Sequence, residues 1–139
     1  MFRIKEFPWL TVNYDGVLWD HDAFIPVECK WVSPYACKFW DTSKAISTPI
    51  EGQKIISGSS LSLQDYVASM ANITGIPGYY YTQVQQQILG LNAPYAYMVA
   101  LHDKDWELYV FKIFRDQHLI DQLVAKSKVV WDTIEERRA

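Results

Sequence analysis

Residues 24–32 read FIPVECKWV, and the fold turns on that stretch. Side chains alternate across a strand with a period of two, so Val27, Cys29 and Trp31 fall on one face and Glu28 and Lys30 on the other. One face is apolar and the other carries a charge pair. The preceding residues 9–20 (WLTVNYDGVLWD) are rich in aromatic and β-branched side chains around Asp15-Gly16, and read as a strand with a turn or bulge in it. Antiparallel pairing of these two strands would bring the Asp15 and Glu28 carboxylates and the Lys30 ammonium together.

Downstream, residues 33–60 mix Ser, Pro, Gly and Thr without a sustained period and predict a long loop, with a short helix over Tyr35 to Trp40. Helices are expected over Leu63–Ile73 and Tyr79–Leu91, separated by the Gly- and Pro-containing break at residues 74–78. In the second helix Tyr81, Val84, Ile88 and Leu91 form an apolar stripe, with Gln83 and Gln87 one turn apart on a neighbouring face. Strands over Pro94–Leu101 and Trp106–Phe114 follow, joined as a hairpin through residues 102–105. A last helix over Gln117–Glu136 would bury Ile120, Leu123, Val124, Val130, Trp131 and Ile134. The order β-β-α-α-β-β-α is that of a single α+β domain with a mixed sheet, spanning residues 1–139.

Composition narrows the function classes. With 139 residues, 50% hydrophobic and 21% charged, the chain is one packed domain and not a disordered one. Thirteen basic against sixteen acidic residues, a net charge of −3, exclude a protein that grips nucleic acid by bulk positive potential, so any such role is local. Cys29 and Cys37 form neither a CxxC pair nor a disulfide framework, and no apolar run reaches membrane-spanning length. The expectation is a soluble protein of a reducing cytoplasm.

Two carboxylates can supply the protein's share of a Mg²⁺ or Mn²⁺ site, since these cations take oxygen ligands and keep waters and substrate phosphate in the remaining positions. A lysine beside them can position an attacking water or stabilise charge building on a phosphate. On spacing alone, though, Asp15-Gly16 reads first as a hairpin turn and Glu28 with Lys30 as a solvated pair on a strand, ahead of any metal site.

The runs FPWLTVNYDGVL, IPVECKWVSPYACKFW, IPGYYYTQVQQQILGL, PYAYMVAL and DQHLIDQLVAKSKVVWDTI together resemble, in order and over nearly the whole chain, the YqaJ-like viral recombinase family. That family includes lambda exonuclease and belongs to the PD-(D/E)XK nucleases. The likeness is sharpest at the Asp-Gly, at the Glu-x-Lys and at the aromatic Gln-Val-Gln helix entrance preceded by Ile-Pro. It implies a PD-(D/E)XK core in which Asp15, Glu28 and the Cys29 backbone carbonyl hold the metal, Lys30 is the catalytic lysine, and Gln83 faces the site with Gln87 as a helper. It further implies a Mg²⁺- or Mn²⁺-dependent deoxyribonuclease of the exonuclease type, acting in phage or prophage recombination or DNA processing, in a bacterial host cell, working on DNA as a homo-oligomer. The chain departs from the family in three places, one of them the atypical Trp31-Val32 that follows Lys30. Only 14 residues precede Asp15, where members carry a longer helical region, and Tyr14 replaces the usual Pro. A partner subunit completing the site, or a non-enzymatic phage accessory factor or inhibitor of a host defence nuclease built on the same scaffold, are the alternatives.

Among the remaining features, Trp9, Tyr109, Phe111 and Trp131 read as core. Tyr79, Tyr80 and Tyr81 cannot all be buried against one core, so at least one is expected to be exposed near Gln83. Lys38, Lys44 and Lys54 lie in the long loop, either solvated or within reach of phosphates. His21, His102 and His118 carry no expected catalytic role, and residues 135–138 read as a frayed terminus.

Overall fold

The computed structural model describes residues 2–46 and 61–138. Four strands form the main sheet: β3 (Gly16–Asp20), β4 (Ala23–Val32), β5 (Tyr95–His102) and β6 (Glu107–Phe114). They lie in that order, antiparallel, parallel and antiparallel in turn. A parallel β4–β5 pair needs a crossover, and two helices supply it, α1 (Leu63–Thr74) and α2 (Gly78–Leu91). The last helix, α3 (Gln117–Arg138), packs with α1 on the flanks of α2, which itself lies on β4 and β5. The domain is therefore α+β with a mixed sheet flanked by helices, as the sequence predicts. Among the described residues no helix is long and apolar enough to cross a membrane.

The stretch from residue 9 to residue 20 resolves into more than one strand. Thr11–Val12 (β2) pairs with Phe2–Arg3 (β1) as a separate two-stranded ribbon, and β3 begins only at Gly16. Asp15-Gly16 is not the hairpin turn. That turn is His21-Asp22, both with positive φ (46° and 60°), in the two-residue loop closing the Asp20–Ala23 pair. Two left-handed residues match the right-handed strand twist, and aspartate tolerates that region better than most side chains.

Capping chemistry fixes the helix ends. The Ser62 hydroxyl accepts from the Asp65 amide at the start of α1, and Gly75, at φ 84°, closes it in the left-handed region. Asn92 closes α2 in the same way. Before α3, Asp116 is fully buried: its Oδ1 accepts from the Leu119 amide (3.0 Å), and its Oδ2 from the hydroxyls of Tyr66 (2.9 Å) and Tyr81 (2.5 Å). Burial, with the Asp116 carboxylate second, pushes both phenols well above the ordinary tyrosine value, so they stay protonated donors.

Helix α3 differs from its predicted stripe. Ile120 is buried and Leu123, Val124 and Trp131 are half-buried, but Val130 and Ile134 are 60% and 44% exposed, because the helix runs on past the element it packs against. Its end is helical to Arg138, with Arg138 paired to Glu135 at 3.4 Å rather than frayed. Of the expected core aromatics Phe111 is buried, while Trp9, Tyr109 and Trp131 are half-buried. The predicted short helix is a 3₁₀ turn over Ala36–Phe39, and Lys54 lies outside the described residues.

Candidate functional site

The alternation on β4 has a definite sense. From Glu28 onward, Glu28, Lys30 and Val32 turn toward the helices, while Cys29 and Trp31 turn out and are exposed. The Glu28–Lys30 pair is therefore not solvated. Glu28 is 6% exposed, and its Oε1 meets Lys30 Nζ at 3.2 Å. A buried carboxylate is tolerated only when it is paired and hydrogen-bonded.

Helix α2 completes the pairing. Gln83 Nε2 donates to Glu28 Oε1 at 3.4 Å, and Gln87 Nε2 donates to Glu28 Oε2 at 2.7 Å. Residues 83 and 87 are one turn apart, which is why both reach one carboxylate. Tyr80, three residues earlier on the same face, lays its ring 4.6 Å from Lys30 Nζ, a cation–π contact. Of the three tyrosines at the helix entrance Tyr79 is exposed and Tyr81 buried, and it is the half-buried Tyr80 that joins the glutamine pair. Its signal was the 80-83-87 spacing of one helical face.

Asp15 joins from the other side. Its Oδ2 accepts the Cys29 backbone N–H at 2.9 Å, and that amide belongs to the peptide joining Glu28 to Cys29. The two carboxylates are thus tethered through a single peptide unit. In an extended strand the N–H and C=O of one residue point the same way, so the Cys29 carbonyl leaves the same edge of β4 as the amide that Asp15 accepts. The structure brings Glu28, Lys30 and Gln83 into direct contact and joins Asp15 to them through the Cys29 backbone amide.

An arm before β3 also reaches α2. Gln87 Nε2 donates to the Asn13 carbonyl (2.9 Å), Gln86 Nε2 to the Thr11 carbonyl (2.7 Å), and the Tyr14 hydroxyl to the Gln87 carbonyl (3.3 Å). Burial pushes the Tyr14 phenol up to about 12, so it remains a donor. Gly90 makes room for it: a Cβ there would sit 2.3 Å from the Tyr14 hydroxyl. A polar cleft of about 200 Å³ opens between arm and helix beside Gln83 and Gln87. The buried Gln87 Oε1 has no hydrogen-bond partner among the described residues.

The donor types suit a hard divalent cation: two carboxylates, one on an exposed residue, and a carbonyl. Among the described residues, however, no group of three or more His, Cys, Asp or Glu side chains gathers, and both Glu28 oxygens already accept hydrogen bonds. A cation sharing Glu28 would compete with Lys30 or Gln87 for it. The chain matches no family model, no curated protein and no solved structure.

Proposed function

We propose that the chain is a metal-dependent phosphodiesterase acting on DNA, with a PD-(D/E)XK-type core of the YqaJ-like kind that its sequence resembles. The observation that carries the reading is the inward Glu28–Lys30 pair beneath Gln83, with Asp15 bonded to the same peptide. A packed sheet face has no structural need for a carboxylate and an ammonium where apolar side chains would serve as well or better.

In this reading Asp15, Glu28 and the Cys29 carbonyl hold Mg²⁺ or Mn²⁺, which when bound lowers the pKa of water and neutralises phosphate charge. Lys30 carries a fixed positive charge to the scissile phosphate, and its contacts with Glu28 and Tyr80 orient the ammonium. Gln83, exposed beside it, offers an uncharged donor and acceptor to the substrate backbone. A homo-oligomer around DNA and a place in phage recombination are what the family likeness adds.

The second reading, a non-enzymatic interaction protein on a nuclease scaffold, is favoured by one observation: Lys30 and Gln87 between them already satisfy both Glu28 oxygens. Incubation of linear DNA with the purified protein and Mg²⁺ or Mn²⁺ separates the two. The phosphodiesterase reading expects metal-dependent loss of DNA, reduced about 100-fold or more in Glu28→Gln and Lys30→Ala variants of unchanged circular dichroism. Intact DNA with both metals and a folded protein leaves the scaffold reading standing.

A further inference from the structure

Outside the charge pair, the molecule presents a groove where the 3₁₀ turn over Ala36–Phe39 faces the outer side of α1 and the first turn of α2. It encloses about 470 Å³, within the range of small-ligand sites, and is lined by Phe39, Val67, Ala71, Asn72, Pro77 and Tyr79 among others. A second cleft of about 190 Å³ shares Phe39, Ala71 and Asn72 with it and extends it to Lys38.

A run of aromatic rings lies along this path between two ammonium groups. Lys38 Nζ lies 3.9 Å from the Tyr35 ring and 5.1 Å from that of Phe39. Across the groove, Tyr79 meets Tyr80 at 4.4 Å between centroids, and Tyr80 carries Lys30. Tyr35, Phe39 and Tyr79 are 72%, 53% and 65% exposed, so these rings are not core. Tyr80 by contrast is wedged against Trp40 at 5.7 Å, which ties the path to the fold.

We propose that this groove binds single-stranded DNA, with unpaired bases stacking on Tyr79 and Phe39 and Lys38 meeting the phosphates, leading a strand to Lys30. Charge favours this occupant. No carboxylate lines the larger groove among the described residues, in a chain with net charge −3, and a lysine stands beyond each end of it, Lys38 in the adjoining cleft and Lys30, paired with Glu28, behind Tyr80. Asp41, in the adjoining cleft, spends Oδ1 on the Ser43 amide and hydroxyl. The amides of Gln64 and Asn72 offer donors and acceptors to base edges without selecting one base. Duplex DNA cannot use the groove, because its bases already stack on one another. The inference deepens the phosphodiesterase reading by naming the form of its substrate, yet binding and cleavage are separable.

The test is fluorescence anisotropy with a labelled thymidine oligonucleotide of about 12 nucleotides and a duplex of equal length, both in EDTA so that no cleavage occurs. The oligonucleotide is expected to bind more tightly than the duplex. Tyr79→Ala and Phe39→Ala should each weaken it about 5- to 150-fold, the loss of one base stack, whereas Tyr79→Trp should retain it. Lys38→Gln should lower the slope of log affinity against log salt by about 0.7. No binding, equal binding of the duplex, or affinity indifferent to Tyr79 and Phe39 overturns the proposal. These rings are exposed, so unchanged circular dichroism is expected of every variant. Metal-dependent cleavage without Tyr79-dependent binding would leave the phosphodiesterase reading intact while the groove fails; Tyr79-dependent binding without cleavage would do the reverse.

Discussion

Glu28 carries the tightest electrostatic constraint in the site. Its carboxylate is buried, and three side chains, Lys30, Gln83 and Gln87, keep it satisfied. Removing the ammonium alone leaves a buried charge on neutral donors, so Lys30→Met should cost about 2 kcal/mol, discounted from a fully buried pair because Lys30 is itself only half-buried. Adding Glu28→Gln should recover most of that loss, since the charge then disappears with its partner; urea unfolding of both variants reads the difference. His102 is a second buried ionisable group, boxed by Trp40 (5.8 Å) and Tyr109 (4.7 Å), with its Nε2 unpartnered among the described residues. Burial lowers its pKa below the ordinary 6.5, against a smaller opposing pull from Asp105. The folded state therefore binds this proton less readily than the unfolded one. Its contribution is complete above about pH 6.5 and is lost as pH falls toward the lowered folded value, by at most about 1.4 kcal/mol per pH unit. His102→Phe should flatten that decline between pH 7 and 5, and a wild-type-like slope in the variant would assign the decline to other groups.

Among the elements, the glutamine run of α2 ties the arm to the site. Gln83 and Gln87 grip β4, Gln86 and Gln87 hold the arm, and Gln85, fully buried, donates to the Phe114 carbonyl while accepting from the Asp116 amide. The sequence showed Gln83 and Gln87 as aimed together because a helical period relates them. It did not show Gln85 and Gln86, whose partners are backbone atoms more than 25 residues away and leave no side-chain pattern to read. Gly90 was equally silent, since a glycine inside a helix advertises flexibility rather than a close approach. Alanine there should gain helix propensity of about 1 kcal/mol but collide with the Tyr14 hydroxyl at 2.3 Å and crowd Val12 at 3.1 Å. Gly90→Ala should therefore lower the melting temperature, and less so in a Tyr14→Phe background, where the closest clash is gone. Additivity of the two substitutions would mean that the hydroxyl is not what occupies the space. Gly75→Ala should be worse still: a Cβ at φ 84° costs about 1–2 kcal/mol by itself, and it would stand 2.6 Å from the Asp41 carbonyl, which is backbone and cannot swing aside.

Across the whole molecule, the parts that were legible are those set by periodicity within one element: the strands from β4 onward, the helices, and the separation of Glu28 and Lys30 from their apolar neighbours. Periodicity does not say which face turns inward, and here the covered face of β4 is the charged one, because α2 supplies amides and an aromatic ring to meet it. It also does not say where a helix outruns its support, which is why Val130 and Ile134 read as core and stand exposed. The distal part of α3 is held instead from the arm: Trp9 Nε1 donates to Ser127 Oγ at 2.9 Å, and Lys128 lies 5.1 Å from the Trp9 ring. That anchor bridges 118 positions of sequence. Trp9→Ala removes the hydrogen bond and the cation–π contact together, roughly 1–2 kcal/mol of local tethering. The consequence should be uneven. Amides from residue 127 onward should exchange with solvent about tenfold faster, while those of β4, β5 and α2 keep their protection, because the sheet core does not pass through Trp9. Hydrogen exchange followed by mass spectrometry reads both regions in one experiment. Uniform loss of protection would mean that the arm supports the entire fold, whereas no change in α3 would mean that helix propensity alone keeps its last turns in place.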